Sequence, residues 1–500
     1  MAHSKKIMKN SIYSLSYKLL TIFLSFLIRK LFIEFMGVEL LGLNSLFADL
    51  LSLLNLADMG LGMALQYNLY KPLADKDNKK ISSLLNAAKK IYNAVGISII
   101  FAGCIMCCFI QYLIKDNPYS LDFLRIVFLI NVVSNASTYF FVHKRLFMQT
   151  VEDIYLTNIV DGIVCILSSI AKLVVIIFMK NYYVYVGIGV IQTIVSNVIV
   201  NYMCNKKYSY LSNSKKYNSE DMKLLICNLK ELIPNRVGFF IFNNTDSTII
   251  SAIMGLTMVT YYTNYFTITY QIFWIAVIIA NVVKVSFGNV MQEDEESERH
   301  ISLLESYQFL QFLFSSVCGV LLICLLDDFV SVWYGREFVL SLPFVIILTL
   351  DFFVHSMYQP LSIMVEVIGE FKVLKNQQLI CMVLNILLSI GLIFPFGLIG
   401  PIIGTIVVDI ITFCFRIHTV IYTHYNKYFK EYINKIIKYI VVFIGQYILI
   451  YNFSKCIEIG NEYINIFIKA IVVGSITLLL DVLLFYKTEE YQYIKDRLKL

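Results

Sequence analysis

LFADLLSLLNLADMGLG, residues 46–62, is apolar enough to lie in a bilayer yet carries Asp49, Asn55 and Asp58. On a helix turning ~100° per residue, Asn55 and Asp58 share one face with Asn44, Ser52, Gly62 and Gln66, while Asp49 lies off it. A charge exposed to lipid costs at least about 2.5 to 3.5 kcal/mol, so that face must meet protein or water. The segment therefore reads as one span of a bundle. Asp49 is expected to pair with a neighbouring helix or to sit near a lobe surface.

The rest of the chain extends this reading. Over 500 residues, 58% of side chains are hydrophobic and 15% charged, and mean hydropathy is +0.71. Soluble domains carry roughly a quarter charged residues. Apolar runs of about 20 residues recur from end to end with only 7 Pro, which selects helices over a barrel of alternating strands. The expected fold is an all-α polytopic membrane protein. The 34 Tyr and 37 Phe suit interfacial belts and lipid-facing surface. Most of the 11 Cys lie inside apolar runs, which argues against a disulfide framework. Cys104, Cys107 and Cys108 have a CxxC spacing without a nearby His or a second pair, so no metal site and no cofactor are expected. MAHSKKIMKN leads into a long apolar run without a small-residue cleavage site, which reads as a retained first helix.

A window of about 19 residues yields fourteen candidate spans, from 11–33 and 41–69 to 436–454 and 463–486. Alternate connections hold 29 of the 41 Lys and Arg, Arg145 and Arg416 among them; the opposite set holds Lys115, Lys180, Arg336 and Lys455. Both termini are thus expected in the cytoplasm. Every outer connection is short, the longest being DDFVSVWYGRE at 327–337. The natural division is a six-helix lobe over 1–205, a cytoplasmic linker over 206–230, a second six-helix lobe over 231–425, and two further helices with a tail over 426–500. The lobes echo each other: MGVELLGLNSLF (36–47) and MGLTMVTYYTNYF (254–266) each leave one helix through Met-Gly and enter the next.

Polar stripes recur inside the spans. Span one aligns Ser14, Lys18, Thr21, Ser25 and Arg29, and span five aligns Asn158, Asp161, Ser169 and Lys172. Span seven gathers Arg236, Asn243, Asp246 and Ser247; span ten gathers Asp351, His355, Gln359 and Glu366. The Ser, Thr and Asn positions also suit helix-to-helix hydrogen bonds, and Arg29 suits snorkelling to the outer interface. Several amphipathic spans together imply a water-accessible cavity, and its ionisable groups are functional candidates. Lys18, Arg29, Asn55, Asp58, Arg125, Lys172, Arg236 and Asn243 are the expected cavity residues, with enough cations for a phosphate or pyrophosphate head group. Asp246, Asp351, His355 and Glu366 are the ion-coupling candidates, His355 because an imidazole inside a span can couple to protons.

SIYSLSYKLLTIFLSFLIRKLFIEFMGVELLGLNSLFADLLSLLNLADMGLGMALQYNLYKPLADKD (11–77) resembles the first two helices and following loop of the bacterial polysaccharide-repeat flippases. NNTDSTIISAIMGLTMVTYYTNYF (243–266) resembles the start of their second half. The family belongs to the multidrug, oligosaccharidyl-lipid and polysaccharide exporter superfamily. The resemblance implies two six-helix lobes in a V, with two extra C-terminal helices, in the bacterial inner membrane. It implies alternating-access transfer of an undecaprenyl-pyrophosphate-linked oligosaccharide to the outer leaflet for O-antigen or capsule, coupled to an ion gradient. The family's cavity cations fall at Lys18, Arg29 and Arg236. The implied partners are the lipid-linked oligosaccharide, membrane lipids, and the polysaccharide polymerase and chain-length machinery; nucleic acid is not among them.

Two other classes compete. A drug or small-cation exporter of the same superfamily usually has twelve spans and an anionic cavity. A membrane glycosyltransferase or polysaccharide polymerase would place catalytic groups on substantial outer loops, which are lacking here. No P-loop, zinc motif or nucleophile elbow occurs, so the chain is not expected to be an enzyme.

Overall fold

A computed structural model describes residues 2–55, 61–115, 117–151, 153–211, 218, 221–223, 225, 245–293, 297–457 and 460–498. These residues form helices and no strand, and ten of the helices are long and apolar enough to cross a membrane. The chain divides into two compact units, Met1–Thr260 and Tyr261–Leu500.

The first unit begins with α1 (Ala2–Met36), α2 (Val38–Leu54), α3 (Leu61–Ala74) and α4 (Asn78–Phe109). It continues through α5 (Leu121–Tyr139), α6 (Val142–Thr150), α7 (Ile154–Val174), α8 (Tyr182–Lys207) and α9 (Asp246–Met254). The start of α10 (Leu256–Glu293) closes it. Helix α1 packs on α7, α4 on α5, and α8 on both α5 and α7. Asp221, in the expected linker, anchors to α4 through Lys80 at 2.5 Å and Ser83 at 2.5 Å.

Among the described residues, span two contains two helices. Helix α2 ends at Leu54 with Asn55 as its C-cap, and α3 begins at Leu61. The single polar face expected from Asn44 to Gln66 is therefore divided between two helices, and Asp58 lies outside the described residues. The cap is held from α5: the Tyr139 hydroxyl donates to Asn55 Oδ1 at 2.9 Å, and Asn135 Nδ2 donates to the Leu51 carbonyl at 3.3 Å. These contacts tie the C-terminal turn of α2 to α5.

The Met-Gly echo has a backbone counterpart. Gly37, between α1 and α2, has φ 96° and ψ 162°; Gly255, between α9 and α10, has φ 88° and ψ 173°. Only glycine adopts such values at little cost. The segments the two turns introduce also meet. Thr260 Oγ1 donates to the Val38 carbonyl at 2.7 Å, and a Cβ on Gly42 would run into the Leu256 carbonyl oxygen.

The second unit holds the rest of α10, then α11 (Ser297–Trp333), α12 (Leu342–Met357), α13 (Gln359–Ile368) and α14 (Phe371–Phe396). It ends with α15 (Ile399–Ile417), α16 (Phe429–Ser454), α17 (Glu462–Phe485) and α18 (Glu489–Leu498). Helix α11 runs to Trp333, so most of the longest expected outer connection is helical. Span ten is broken at Tyr358, because Pro360 lacks an N–H and its ring crowds the preceding turn. Helices α16 and α17 join α11 in one core: Phe312 stacks on Tyr439 at 4.5 Å, and Phe353 stacks on Phe443 at 4.0 Å. Below these rings, Ser316 donates to Gln446 at 2.7 Å and Gln446 donates to the buried Asp481 at 2.7 Å.

Candidate functional site

Each unit contains its own cluster of ionisable side chains, half-buried in the first and centred on the buried Asp409 in the second. In the first, α6 turns back against α7 and α8 and inserts Arg145 between them. Its guanidinium forms two parallel bonds to Asp161, each 2.8 Å, and reaches Asn197 Oδ1 at 2.7 Å and Ser196 Oγ at 2.6 Å. Ser196 also donates to Asp161. Bidentate geometry with neutral partners on the remaining donors is the arrangement in which such a pair is well satisfied. The positive-inside count places Arg145 in a loop, whereas the structure makes it the partner of a carboxylate on the span-five stripe. His143 lies two residues earlier in this short helix. Burial, with Lys144 and Lys89 nearby, pushes its imidazole down to about 3, so it stays neutral.

Further along α7, Lys172 lies eleven residues from Asp161, about 16 Å along the axis. Its Nζ is 3.4 Å from Gln192 Oε1 and 5.6 Å from the centre of the Tyr185 ring. Arg29 also acts electrostatically on Tyr185. Two of the expected cavity cations, from α1 and α7, are thus gathered around one tyrosine of α8. Lys18 is half-buried one stripe lower on α1, where Thr21 bonds its carbonyl at 2.8 Å. Arg125 instead lies beside Cys107 of α4. Asn55 has the capping role described above, and Arg236 and Asn243 lie outside the described residues.

Asp49, the residue off the stripe, hydrogen-bonds the Ser247 side chain of α9, with Asp246 close by. Asp246 therefore belongs to the first unit's α2–α9 contact and is separate from the other ion-coupling candidates.

Those candidates surround the second cluster. His355 Nδ1 lies 2.8 Å from Asp409 Oδ2 and 3.0 Å from the Tyr358 hydroxyl, and Phe273 packs edge-on against the imidazole at 4.4 Å. Asp409 is fully buried on α15. Arg416, two turns further on the same helix face, is also buried and donates to Gln377 Oε1 at 2.5 Å, while Gln377 donates to Thr419 at 2.9 Å. Asp351 acts electrostatically on Tyr358, and Glu366, exposed on α13, acts on Arg416.

The chemistry of this cluster follows from one nitrogen meeting two oxygens. If Nδ1 carries hydrogen it donates to the Asp409 carboxylate; if it is bare, it accepts from Tyr358 or from a protonated Asp409. The Nδ1 of His355 can therefore exchange hydrogen-bond partners between the two oxygens with little rearrangement. Asp409 and Arg416 are the site residues that sequence reasoning did not select. Asp409 had a signal, as the sole acidic residue in 398–422. Among the described residues no group of three His, Cys, Asp or Glu could hold a metal ion.

No protein-family model matches the sequence, and no curated protein matches it. Solved structures do match the fold. A structure of the lipid II flippase MurJ in an inward closed conformation superposes with a TM-score of 0.70 at 16% identity, covering 96% of this chain and 98% of MurJ. An inward-facing multidrug resistance MATE transporter of the MOP superfamily gives 0.65 at 14% identity, covering 81% and 97%. The chain has the fold of the MOP-superfamily transporters. The Vibrio cholerae MATE transporter VcmN in its bent form gives 0.55 at 12% identity, covering 86% of this chain and 98% of VcmN. The MurJ superposition thus covers nearly the whole chain, and the MATE superpositions cover less of it.

Proposed function

We propose that this chain is a flippase of the MOP fold. It carries an undecaprenyl-pyrophosphate-linked oligosaccharide from the cytoplasmic to the outer leaflet for O-antigen or capsule synthesis, by alternating access and ion-coupled antiport. The observation that carries the reading is the difference in coverage: the flippase MurJ spans 96% of the chain, whereas the two MATE structures span 81% and 86%. The shortfall is about the length of the two extra helices and tail expected over 426–500.

The first unit's chemistry supports an anionic head group. Lys172 and Arg29 share Tyr185, and the direct side-chain contact of Lys172 is a neutral amide, which leaves its charge available to phosphate oxygens. Lys18 and Arg236 are assigned to the same role, with Asn55, Asp58, Arg125 and Asn243 as further cavity residues. His355 and Asp409, with Asp351 and Glu366 around them, are assigned to proton coupling, and Asp246 to a separate coupling step. The two six-helix lobes, the cytoplasmic termini and the inner-membrane location belong to the same proposal, as does co-operation with polymerase and chain-length machinery.

Disruption of the gene tests the reading against drug export. Loss of surface polysaccharide, with lipid-linked oligosaccharide accumulating on the inner leaflet and drug susceptibility unchanged, is the expected result. Normal polysaccharide with raised drug susceptibility would replace this reading with the exporter.

A further inference from the structure

The second unit has a polar cavity that the proposed transport does not use. It has a volume of about 710 Å³ and lies between the C-terminal end of α11 and the N-terminal end of α17, at the far end of α17 from α18. Two ion pairs face it. Lys469 Nζ meets Asp328 at 2.9 Å, and Arg336 meets Glu462 at 2.8 Å. Asn465 joins the lining with its buried Oδ1, which has no hydrogen-bond partner among the described residues. Val332 and Ile466 supply apolar wall.

We propose that this cavity binds a zwitterionic phosphoethanolamine head group of a membrane phospholipid. Two cations and two carboxylates balance to zero. A simple anion would meet two carboxylates, and a simple cation would meet two positive charges. A phosphate joined to an ammonium exchanges partners without leaving a charge unmatched: phosphate oxygens take Arg336 and Lys469, while ammonium N–H groups take Asp328, Glu462 and Asn465 Oδ1. An ammonium with N–H donors fits this acceptor set better than a trimethylated one, which has none.

The setting selects a lipid over a soluble ligand. Glu462 opens α17 and Lys469 lies two turns deeper, so the cavity straddles about 10 Å at the polar end of a candidate span. Beside it on α17, Tyr463, Phe467 and Ile471 are 59%, 66% and 53% exposed, a surface suited to acyl chains. The inference stands apart from the transported substrate, because it concerns residues given no role in transport.

The test uses the full chain purified in detergent, with thermal unfolding followed as short-chain lipids are added. Dioctanoyl phosphatidylethanolamine is expected to stabilise at concentrations about tenfold below those needed for the matching phosphatidylglycerol or phosphatidylcholine, the ratio one charge-assisted bond supplies. Arg336→Gln, at a side chain 82% exposed, should leave the fold intact and weaken the ethanolamine lipid about tenfold. Lys469→Met should do the same from the other, less exposed pair. Equal or better stabilisation by phosphatidylglycerol would overturn the zwitterion assignment. An undiminished effect in Arg336→Gln would overturn the site, and free phosphoethanolamine acting as strongly as the lipid would overturn the membrane source.

Discussion

The two ionic clusters put similar side chains to contrasting uses. Around Arg145 the guanidinium is spent on Asp161 bidentately and on Ser196 and Asn197, and three helices are fastened by the result. Around Asp409 its carboxylate and the hydroxyl of Tyr358 converge on a single nitrogen, Nδ1 of His355. A saturated pair resists change, whereas two oxygens meeting one ring nitrogen can exchange partners. In the proposed function the first cluster is scaffold and the second is assigned to coupling.

The comparison breaks most visibly at Arg145. Arg145→Ala leaves the partly buried Asp161 without its cation and should cost about 3 kcal/mol, read as a large drop in thermal midpoint and in membrane abundance. Asp409→Asn, which keeps the shape, should leave abundance near normal. Reversed outcomes would exchange the two roles.

A smaller effect is expected where the echoing Met-Gly segments meet. Gly42→Ala drives a methyl group against the Leu256 carbonyl and should destabilise by about 1 to 3 kcal/mol, the usual range for overpacking. Gly445→Ala, on α16 with open space around it, is the control and should be neutral or slightly stabilising by thermal melt. Equal behaviour of the two variants would remove close backbone approach as the reason for glycine at 42.

What the sequence made legible follows from what each signal measures. Hydropathy counts apolar length, so it found the membrane-spanning character; it could not place the break at Tyr358, which depends on Pro360. The Met-Gly echo was readable because positive-φ turns demand glycine. Of the site, His355 was marked by its isolation in an apolar run. Arg145 and Arg416 were hidden by the topology count, since an arginine at a helix end that folds inward has the same local sequence as one in a loop. Asp409 became a partner of His355 only once α12 and α15 were packed together, a relation across 54 residues.

Proton-driven transfer of a fluorescent lipid-linked oligosaccharide in proteoliposomes, with the pH gradient imposed in either direction, tests the central claim most directly. The wild-type rate should follow the gradient, and His355→Ala and Asp409→Asn should each lose that response while the protein stays folded. Transfer that keeps the same gradient dependence in both variants would contradict the assignment of the α12–α15 cluster to coupling.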